Sequence, residues 1–361
     1  MADQDSEHPA LAEAPQPRLL ARAWSLNTLA LLAILYTLYY ARAFILPVVI
    51  AVLLALLLSP LVGALYRLRI RHAVGAAIVV LSLVGVVGSA LYLLSGPAAQ
   101  WVEQAPQLSR QLERKIYPLR ETVAEVNRAA ERVENIGQGE EQVPLVKLQE
   151  RSLREIVVER VQATGASTVM VIFLLYFLLA SGERFVRNVM TALPSWRDKR
   201  RAWEISLHVQ HEISAYLFTI TLINSALAAV TGGAMYLLGM PNPLLWGVMA
   251  GVFNFVPYLG PAFTVAVLTV VSTLSFDTPR EMLVPPLVFF VITSLEGQLI
   301  TPTILGQRLA LNPIMIFLGL IFWGWLWGIA GALLAVPIMV TVKIVCDHVE
   351  ALQPIGTAMG R

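Results

Sequence analysis

NFVPYLGP, residues 254–261, interrupts an apolar run that extends from Leu244 to Val271. The run is long enough for a membrane-spanning helix, because about 20 residues cross a hydrocarbon core of ~30 Å. Pro257 and Pro261 each remove an amide donor and clash with the carbonyl four residues earlier, which disfavours one continuous helix. The stretch therefore predicts two shorter apolar helices joined by a break, and this break decides how the last third of the chain folds.

The composition indicates the solvent that surrounds the chain. Of 361 residues, 57% are hydrophobic and 14% are charged, and the mean hydropathy is +0.68. This balance is unusual for a soluble domain, so we expect an integral membrane protein with lipid as a partner. The net charge of +2 provides no basic field for nucleic acid, and the single cysteine, Cys346, excludes an internal disulfide framework.

Apolar runs alternate with short basic loops, which predict the orientation of the chain. Arg67, Arg69 and Arg71 follow the second run, and a larger basic cluster lies between residues 184 and 201. Basic residues are enriched in cytoplasmic loops, so both segments are predicted to be cytoplasmic. The resulting organisation is a disordered cytoplasmic tail (1–23), transmembrane helices 1–3 (24–96), an extracytoplasmic helical insert (97–160), transmembrane helix 4 (161–181), a basic cytoplasmic segment (182–212), a C-terminal transmembrane core (213–346) and a cytoplasmic tail (347–361).

The predicted fold is all-α and polytopic, with about eight transmembrane helices and with broken or re-entrant segments in the C-terminal third. The apolar pieces 244–256 and 262–276 are each short for a full crossing at ~1.5 Å per residue. The last run, 312–345, is too long for one crossing. Three glycines give it places to break or turn, namely Gly324, Gly328 and Gly331.

The insert after the third span carries a heptad pattern of apolar residues from Ala105 to Val133. The pattern predicts either an amphipathic helix that lies on its own protein or a helix that pairs with copies of itself. Pro118 counts against both interpretations, because it should kink the helix or split it in two.

Glu296 is the acid that stands alone in apolar surroundings. Between Ile213 and Val345 the other acids are Asp277 and Glu281, which flank Pro279 in a predicted loop. A carboxyl group at membrane depth should be protonated, hydrogen-bonded to a neighbouring helix or exposed to water. The functional interpretation is a proton or cation site, or a polar contact in a solute path; the structural alternative is a group that ties down broken backbone.

Polar residues at the break support the same two interpretations. Non-helical backbone at membrane depth persists where protein buries it or where it lines a wet cavity. Asn254 and Tyr258 supply groups that could satisfy freed carbonyls or a solute, whereas a tight turn between two helices would suit the same residues. Candidates for the transport path or its gating are Asn254, Pro257, Tyr258, Gly260, Pro261, Glu296, Gln298, Pro302 and Gly306.

Two Asn-Pro pairs precede glycine-rich apolar segments. Asn242-Pro243 precedes Gly247-x-x-x-Gly251, and Asn312-Pro313 precedes Gly324-x-x-x-Gly328. Small residues four apart allow close helix approach, and oppositely oriented broken helices occur in transporters built from inverted repeats. Chance similarity of apolar Gly/Pro sequence is the alternative. The helix-break candidates are Pro243, Pro313, Gly324, Gly328 and Gly331.

The two segments together resemble a known family. LLGMPNPLLWGVMAGVFNFVPYLGP, residues 237–261, and EGQLITPTILGQRLALNPIMIFLGLIFWGWLWGIAGALLAVP, residues 296–337, resemble the autoinducer-2 exporter (AI-2E) family of bacterial permease-like proteins. The resemblance implies an inner-membrane protein of about eight helices that forms homo-oligomers and moves small solutes. Family members are linked to export of autoinducer-2 and, in other branches, to sodium–proton exchange. By position the family pattern points to Pro257, Tyr258, Gly260, Pro261, Glu296, Pro302, Gly306, Pro313, Gly328, Gly331 and Pro337.

Three functional hypotheses follow. The first is a permease or secondary transporter driven by a gradient, because the chain has no Gly-x-x-x-x-Gly-Lys-Ser/Thr nucleotide motif. The second is an intramembrane enzyme, which we reject because the spans lack a Gly-x-Ser-x-Gly elbow and a His-Glu-x-x-His zinc motif. The third is an oligomeric scaffold without transport. We expect no cofactor, no catalytic residue and no metal site.

Overall fold

The computed structural model describes residues 17–131, 165–182, 196–305, 311–349 and 352–360. Over these ranges the protein is all-α, and the β-pairing consists of one isolated bridge between Leu311 and Gly360. The prediction of an all-α, polytopic membrane protein is confirmed. The chain forms two compact units, Met1–Leu46 and Pro47–Arg361.

The first unit contains helix α1, Pro17–Tyr40, and the start of α2, Arg42–Arg67. Helix α1 begins at Pro17, seven residues before the apolar run expected from residue 24. Near its end, the Tyr36 and Tyr40 ring centroids lie 4.2 Å apart. Such an aromatic cluster at the end of an apolar helix is typical of a membrane–water interface.

The second unit contains the remainder of α2 and the helices that follow. These are α3 His72–Glu131, α4 Gly165–Gly182, α5 Trp196–Leu237, α6 Pro243–Phe253, α7 Leu259–Ser275, α8 Pro279–Leu295, a π-helical turn Glu296–Ile300, α9 Thr301–Leu305, α10 Pro313–His348 and α11 Gln353–Met359. Within the described residues, six helical stretches are long and apolar enough to cross a membrane: Arg42–Arg67, His72–Trp101, Gly165–Gly182, Ile205–Leu237, Pro279–Leu305 and Pro313–His348.

Helix α3 is much longer than a membrane crossing. Its 60 residues correspond to roughly 90 Å at ~1.5 Å per residue. The helix is not split at Pro118, so that part of the expectation is wrong. The predicted self-pairing of the heptad surface stays a prediction, and the rest of the insert, residues 132–164, lies outside the described residues.

Helices α6 and α7 form the first hairpin, with residues 254–258 as its turn. The observed bounds agree with the two short helices predicted at 244–256 and 262–276. Pro243 lies at the first helical position of α6, where its missing N–H costs no hydrogen bond. Pro261 lies in the first turn of α7, where its missing N–H likewise costs no hydrogen bond within the helix. The prolines therefore begin helices and set the turn between them.

Helix α10 folds back on itself at Gly328 and forms the second hairpin. Gly328 has φ 67° and ψ −145°, which is not helical. A Cβ placed on Gly319 would lie 3.0 Å from Met339 Cγ, whereas a straight helix would separate these residues by about 30 Å. The helix is thus broken at Gly328, and its arms are residues 313–327 and 329–348. Gly324 and Gly331 remain helical, and Pro313 begins the first arm at position N1.

Close helix packing brings these elements together. A Cβ on Gly247 of α6 would lie 2.5 Å from the Ala228 carbonyl oxygen of α5, so the predicted Gly247-x-x-x-Gly251 surface does face another helix. Val256, in the turn of the first hairpin, packs in one cluster with Leu320 and Ala335 from the two arms of the second. The turn of the first hairpin therefore rests on the second hairpin.

Candidate transport site

The turn of the first hairpin is held in a strained conformation. Asn254 caps the C-terminus of α6, and Tyr258 has φ 64° and ψ −53°. The Leu259 amide donates to the Pro257 carbonyl over 2.7 Å. These values describe a γ-turn of the rare, strained kind centred on Tyr258. Positive φ at a bulky residue persists only where the surrounding structure enforces it, and such strain is common at functional sites.

Glu296 begins the π-helical turn between α8 and α9. Its side chain is 7% exposed, and one carboxylate oxygen accepts a hydrogen bond from the Thr301 hydroxyl. Helix α8 begins at Pro279, so Glu281 belongs to its first turn and not to a loop. Glu296 is accordingly seventeen residues from the start of the helical stretch and nine from its end at Leu305, so it lies closer to the end than to the start.

Asn254 joins the acid to helix α5. Its side-chain amide nitrogen donates to Asn224 Oδ1 over 2.8 Å and to Glu296 Oε2 over 3.3 Å. One side-chain amide thus links α5, the hairpin turn and the π-turn, three elements that are far apart in sequence. Within the described part of the chain, Glu296 forms no ion pair, so these polar contacts are what stabilise it.

Asn224, whose Oδ1 atom belongs to the cluster, also carries a donor that is not used within the described residues. The residue is 2% exposed, and its Nδ2 atom has no hydrogen-bond partner among the described residues. A buried donor without a partner costs roughly 1–3 kcal/mol. The cluster is therefore chemically incomplete: it offers an N–H to an acceptor and a carboxylate to a donor or a cation.

The other predicted residues differ in burial and do not share the hydrogen bonds of this cluster. Gly260 is buried, and a Cβ there would overlap the Phe253 carbonyl, so only glycine allows the hairpin to close. Pro257 is half-buried, whereas Tyr258, Gln298 and Pro302 are exposed, and none of these four bonds to Glu296. Gly306 lies outside the described residues.

Two members of the cluster were not among the predicted site residues. Asn224 is a polar residue within an apolar span, and such residues more often serve packing between helices than binding. Thr301 gave no signal, because a residue five positions after Glu296 lies on a different face of an α-helix. The π-turn, whose N–H groups bond five residues back, brings the two side chains together.

The described residues contain no group of three His, Cys, Asp or Glu side chains that could hold a metal ion. The site is thus a hydrogen-bonding cluster with one carboxylate. Its chemistry suits recognition of a small polar solute or of a single cation.

Comparisons with known proteins match this chain to proteins described as transporters. Residues 29–351 match the sequence model of a family described as "AI-2E family transporter". A "Putative transport protein" of Borreliella burgdorferi is 30% identical over 198 residues, which is 54% of this chain and 54% of that protein. "Putative transport protein YhhT" of Escherichia coli K12 is 25% identical over 356 residues, 96% of this chain and 97% of YhhT. "AI-2 transport protein TqsA" of the same organism is 31% identical over 147 residues, 41% of this chain and 42% of TqsA. The matched region thus spans about half of the Borreliella protein and nearly all of YhhT.

Proposed function

The chain belongs to the AI-2E family of transporters, and from this premise we propose that it is a gradient-driven permease whose small polar solute passes the Glu296–Asn254–Asn224 cluster. It is a multi-pass protein of the bacterial inner membrane with several apolar helices. The family is one of transporters, which favours transport over the scaffold hypothesis and over enzymatic activity.

One observation carries the proposal, namely the incomplete hydrogen bonding of the cluster. Among the described residues, the buried N–H of Asn224 has no partner, and the carboxyl group of Glu296, linked to Asn224 through Asn254, has no cation beside it. Buried polar groups are nearly always satisfied, so such a group in native structure needs an explanation. A solute that accepts from Asn224 and donates to Glu296 supplies it.

Autoinducer-2 is the first solute to test. TqsA, a relative over part of the chain, is named an AI-2 transport protein. Export from the cytoplasm is the direction under this proposal. The same proposal includes the path and gating residues predicted at 254–261 and 296–306. It also includes the cytoplasmic orientation predicted for residues 67–71 and 182–212.

The decisive experiment measures autoinducer-2 flux into or out of proteoliposomes that contain the purified protein. Glu296→Gln keeps the shape of the side chain but removes its charge. Because hydrogen bonds to charged groups are worth about 1.5–3 kcal/mol, the flux should fall about tenfold or more. Glu281→Gln is the matched control, since Glu281 is exposed at the start of the same helix. Equal flux in both variants would refute the role of the cluster.

A second candidate function is antiport coupled to protons or sodium. The buried carboxylate of Glu296 favours it, since an acid at membrane depth is typical of ion-coupled transport. In that case flux should follow an imposed proton or sodium gradient, and Glu296→Gln should abolish this dependence. If solute flux through the unmodified protein does not change with an imposed proton or sodium gradient, coupled antiport is excluded and the permease remains.

The homo-oligomer implied by the family also remains a proposal. Many large apolar side chains are exposed on the single chain, among them Leu222, Tyr236 and Leu237 of α5. Lipid and neighbouring copies can both cover such surfaces. The mass of the protein in detergent, measured by native mass spectrometry, distinguishes a monomer from an assembly.

A further inference from the structure

A large cleft lies away from the Glu296 cluster, between helices α2, α4 and α5. Its volume is about 970 Å³, and none of the predicted path residues lines it. The cleft follows α2 from Val52 to Arg67 and α5 from Ser206 to Thr219. At ~1.5 Å per residue these walls are about 20 Å long. A hydrogen bond of 3.1 Å between Ser59 and Ser214 connects α2 to α5 within the wall.

The two ends of the cleft differ in polarity. Arg67, His72 and His211 lie at the end where α2 finishes and the membrane part of α5 begins. Val52 and Phe218 line the opposite end. None of the described residues that line the cleft is acidic. The acid next to His211 is Glu212, which is directed to another partner, since its Oε1 atom lies 4.0 Å from Nε2 of His348.

A cleft with one basic end and one apolar end matches one class of ligand. A basic pocket between membrane helices on the cytoplasmic side is suited to an anionic lipid headgroup. The basic end of the cleft continues into Arg69 and Arg71, the loop predicted to be cytoplasmic. One leaflet contributes about 15 Å of hydrocarbon, half of a ~30 Å core, so a wall of about 20 Å accommodates an acyl chain together with its headgroup.

We propose that this cleft is a binding site for one anionic phospholipid of the inner leaflet, separate from the solute path. The phosphate lies between Arg67 and His211, and an acyl chain extends along the apolar wall toward Val52. A soluble phosphate would use only the basic end and would leave that apolar wall without an occupant. The charge and the length of the cleft together select the lipid.

The proposal can be tested with delipidated protein in a neutral detergent. Each probe is added to the protein, and the number of lipid molecules that stay bound is counted by native mass spectrometry. The probes are phosphatidylglycerol, phosphatidylcholine and inorganic phosphate. We expect one tightly retained phosphatidylglycerol and no comparable retention of phosphatidylcholine. Arg67→Gln should weaken this retention about fivefold, because one cation near a lipid surface contributes about that factor. Arg280→Gln, which removes an exposed arginine of α8 outside the cleft, should leave it unchanged.

A second variant blocks the acyl chain without touching the charge. Gly63 lines the cleft, and a Cβ there meets no atom within 4 Å, so Gly63→Leu begins in open space and adds apolar volume to the cleft. This variant should lose the retained lipid, while Gly88→Leu, equally open and outside the cleft, should keep it. Equal retention of both lipids, competition by inorganic phosphate alone, or full retention in Gly63→Leu would each overturn the proposal.

Discussion

Replacement of Gly247 by alanine should separate helices α5 and α6. A Cβ on Gly247 would lie 2.5 Å from the Ala228 carbonyl oxygen and 2.9 Å from both Cα and N of Gly232. Ordinary contact begins near 3.4 Å, so the helices must move apart by about 0.9 Å. All three atoms belong to the backbone and no rotamer change relieves the overlap.

The expected loss of stability follows from this geometry. Overpacking typically costs about 1–3 kcal/mol, and a clash with backbone belongs at the upper end, so we expect a loss of about 2–3 kcal/mol in the free energy of unfolding. Gly233→Ala is the matched control on α5, because its Cβ meets no atom within 4 Å. Alanine in a helix interior is favoured over glycine by roughly 0.5–1 kcal/mol, so the control should be stabilised.

The measurement is unfolding by sodium dodecyl sulfate in mixed micelles, followed by far-ultraviolet circular dichroism. Flux provides a second readout, since α5 carries Asn224 and Asn254 caps α6, and the 2.8 Å bond between them should lengthen. A Gly247→Ala protein as stable as the Gly233→Ala protein would refute the close helix contact on which the site is built.

Three further perturbations test separate features. Tyr258→Gly should raise the free energy of unfolding by up to about 1 kcal/mol in the same assay, because glycine relieves the strained turn; a loss of stability would contradict that strain. Asn224→Ala should lower autoinducer-2 flux about tenfold while changing stability by less than about 1 kcal/mol, since it removes an unsatisfied donor along with the bond to Asn254; unchanged flux would count against a solute contact. Asp347→Asn should destabilise the protein by roughly 1–2 kcal/mol, because it leaves the buried Lys343 ammonium, 2.6 Å from the carboxylate, without a counter-charge, while the 39% exposure of Asp347 keeps the loss below that of a fully buried pair. A smaller loss than for the double replacement with Lys343→Met would argue against this pair.

The breaks in the fold could be predicted because proline and glycine constrain the backbone locally. Pro257 and Pro261 predicted the first hairpin, and a glycine-rich run too long for one crossing predicted the turn found at Gly328. These signals depend on residues close in sequence, so no knowledge of tertiary contacts was needed.

The candidate site could be predicted only in part. Glu296 and Asn254 were identified from their polarity in apolar surroundings, but the bond from Asn254 to Asn224 joins residues 30 apart and depends on how α5 packs on α6. The contact of Thr301 with Glu296 depends on a local change of helix type. The length and apolar periodicity of the sequence do not distinguish such a turn from an ordinary α-helix, because both continue the same apolar run.

The first hairpin reverses direction within the five residues 254–258, and this has an electrostatic consequence. A helix carries about half a negative charge at its C-terminus and about half a positive charge at its N-terminus. Helix α6 ends and α7 begins at the same turn, so the two opposite partial charges lie side by side and largely cancel. The turn can therefore sit in a medium of low dielectric constant without a counter-ion. Among the described residues near the turn, Glu296 is then the acidic side chain that a charge entering the region meets.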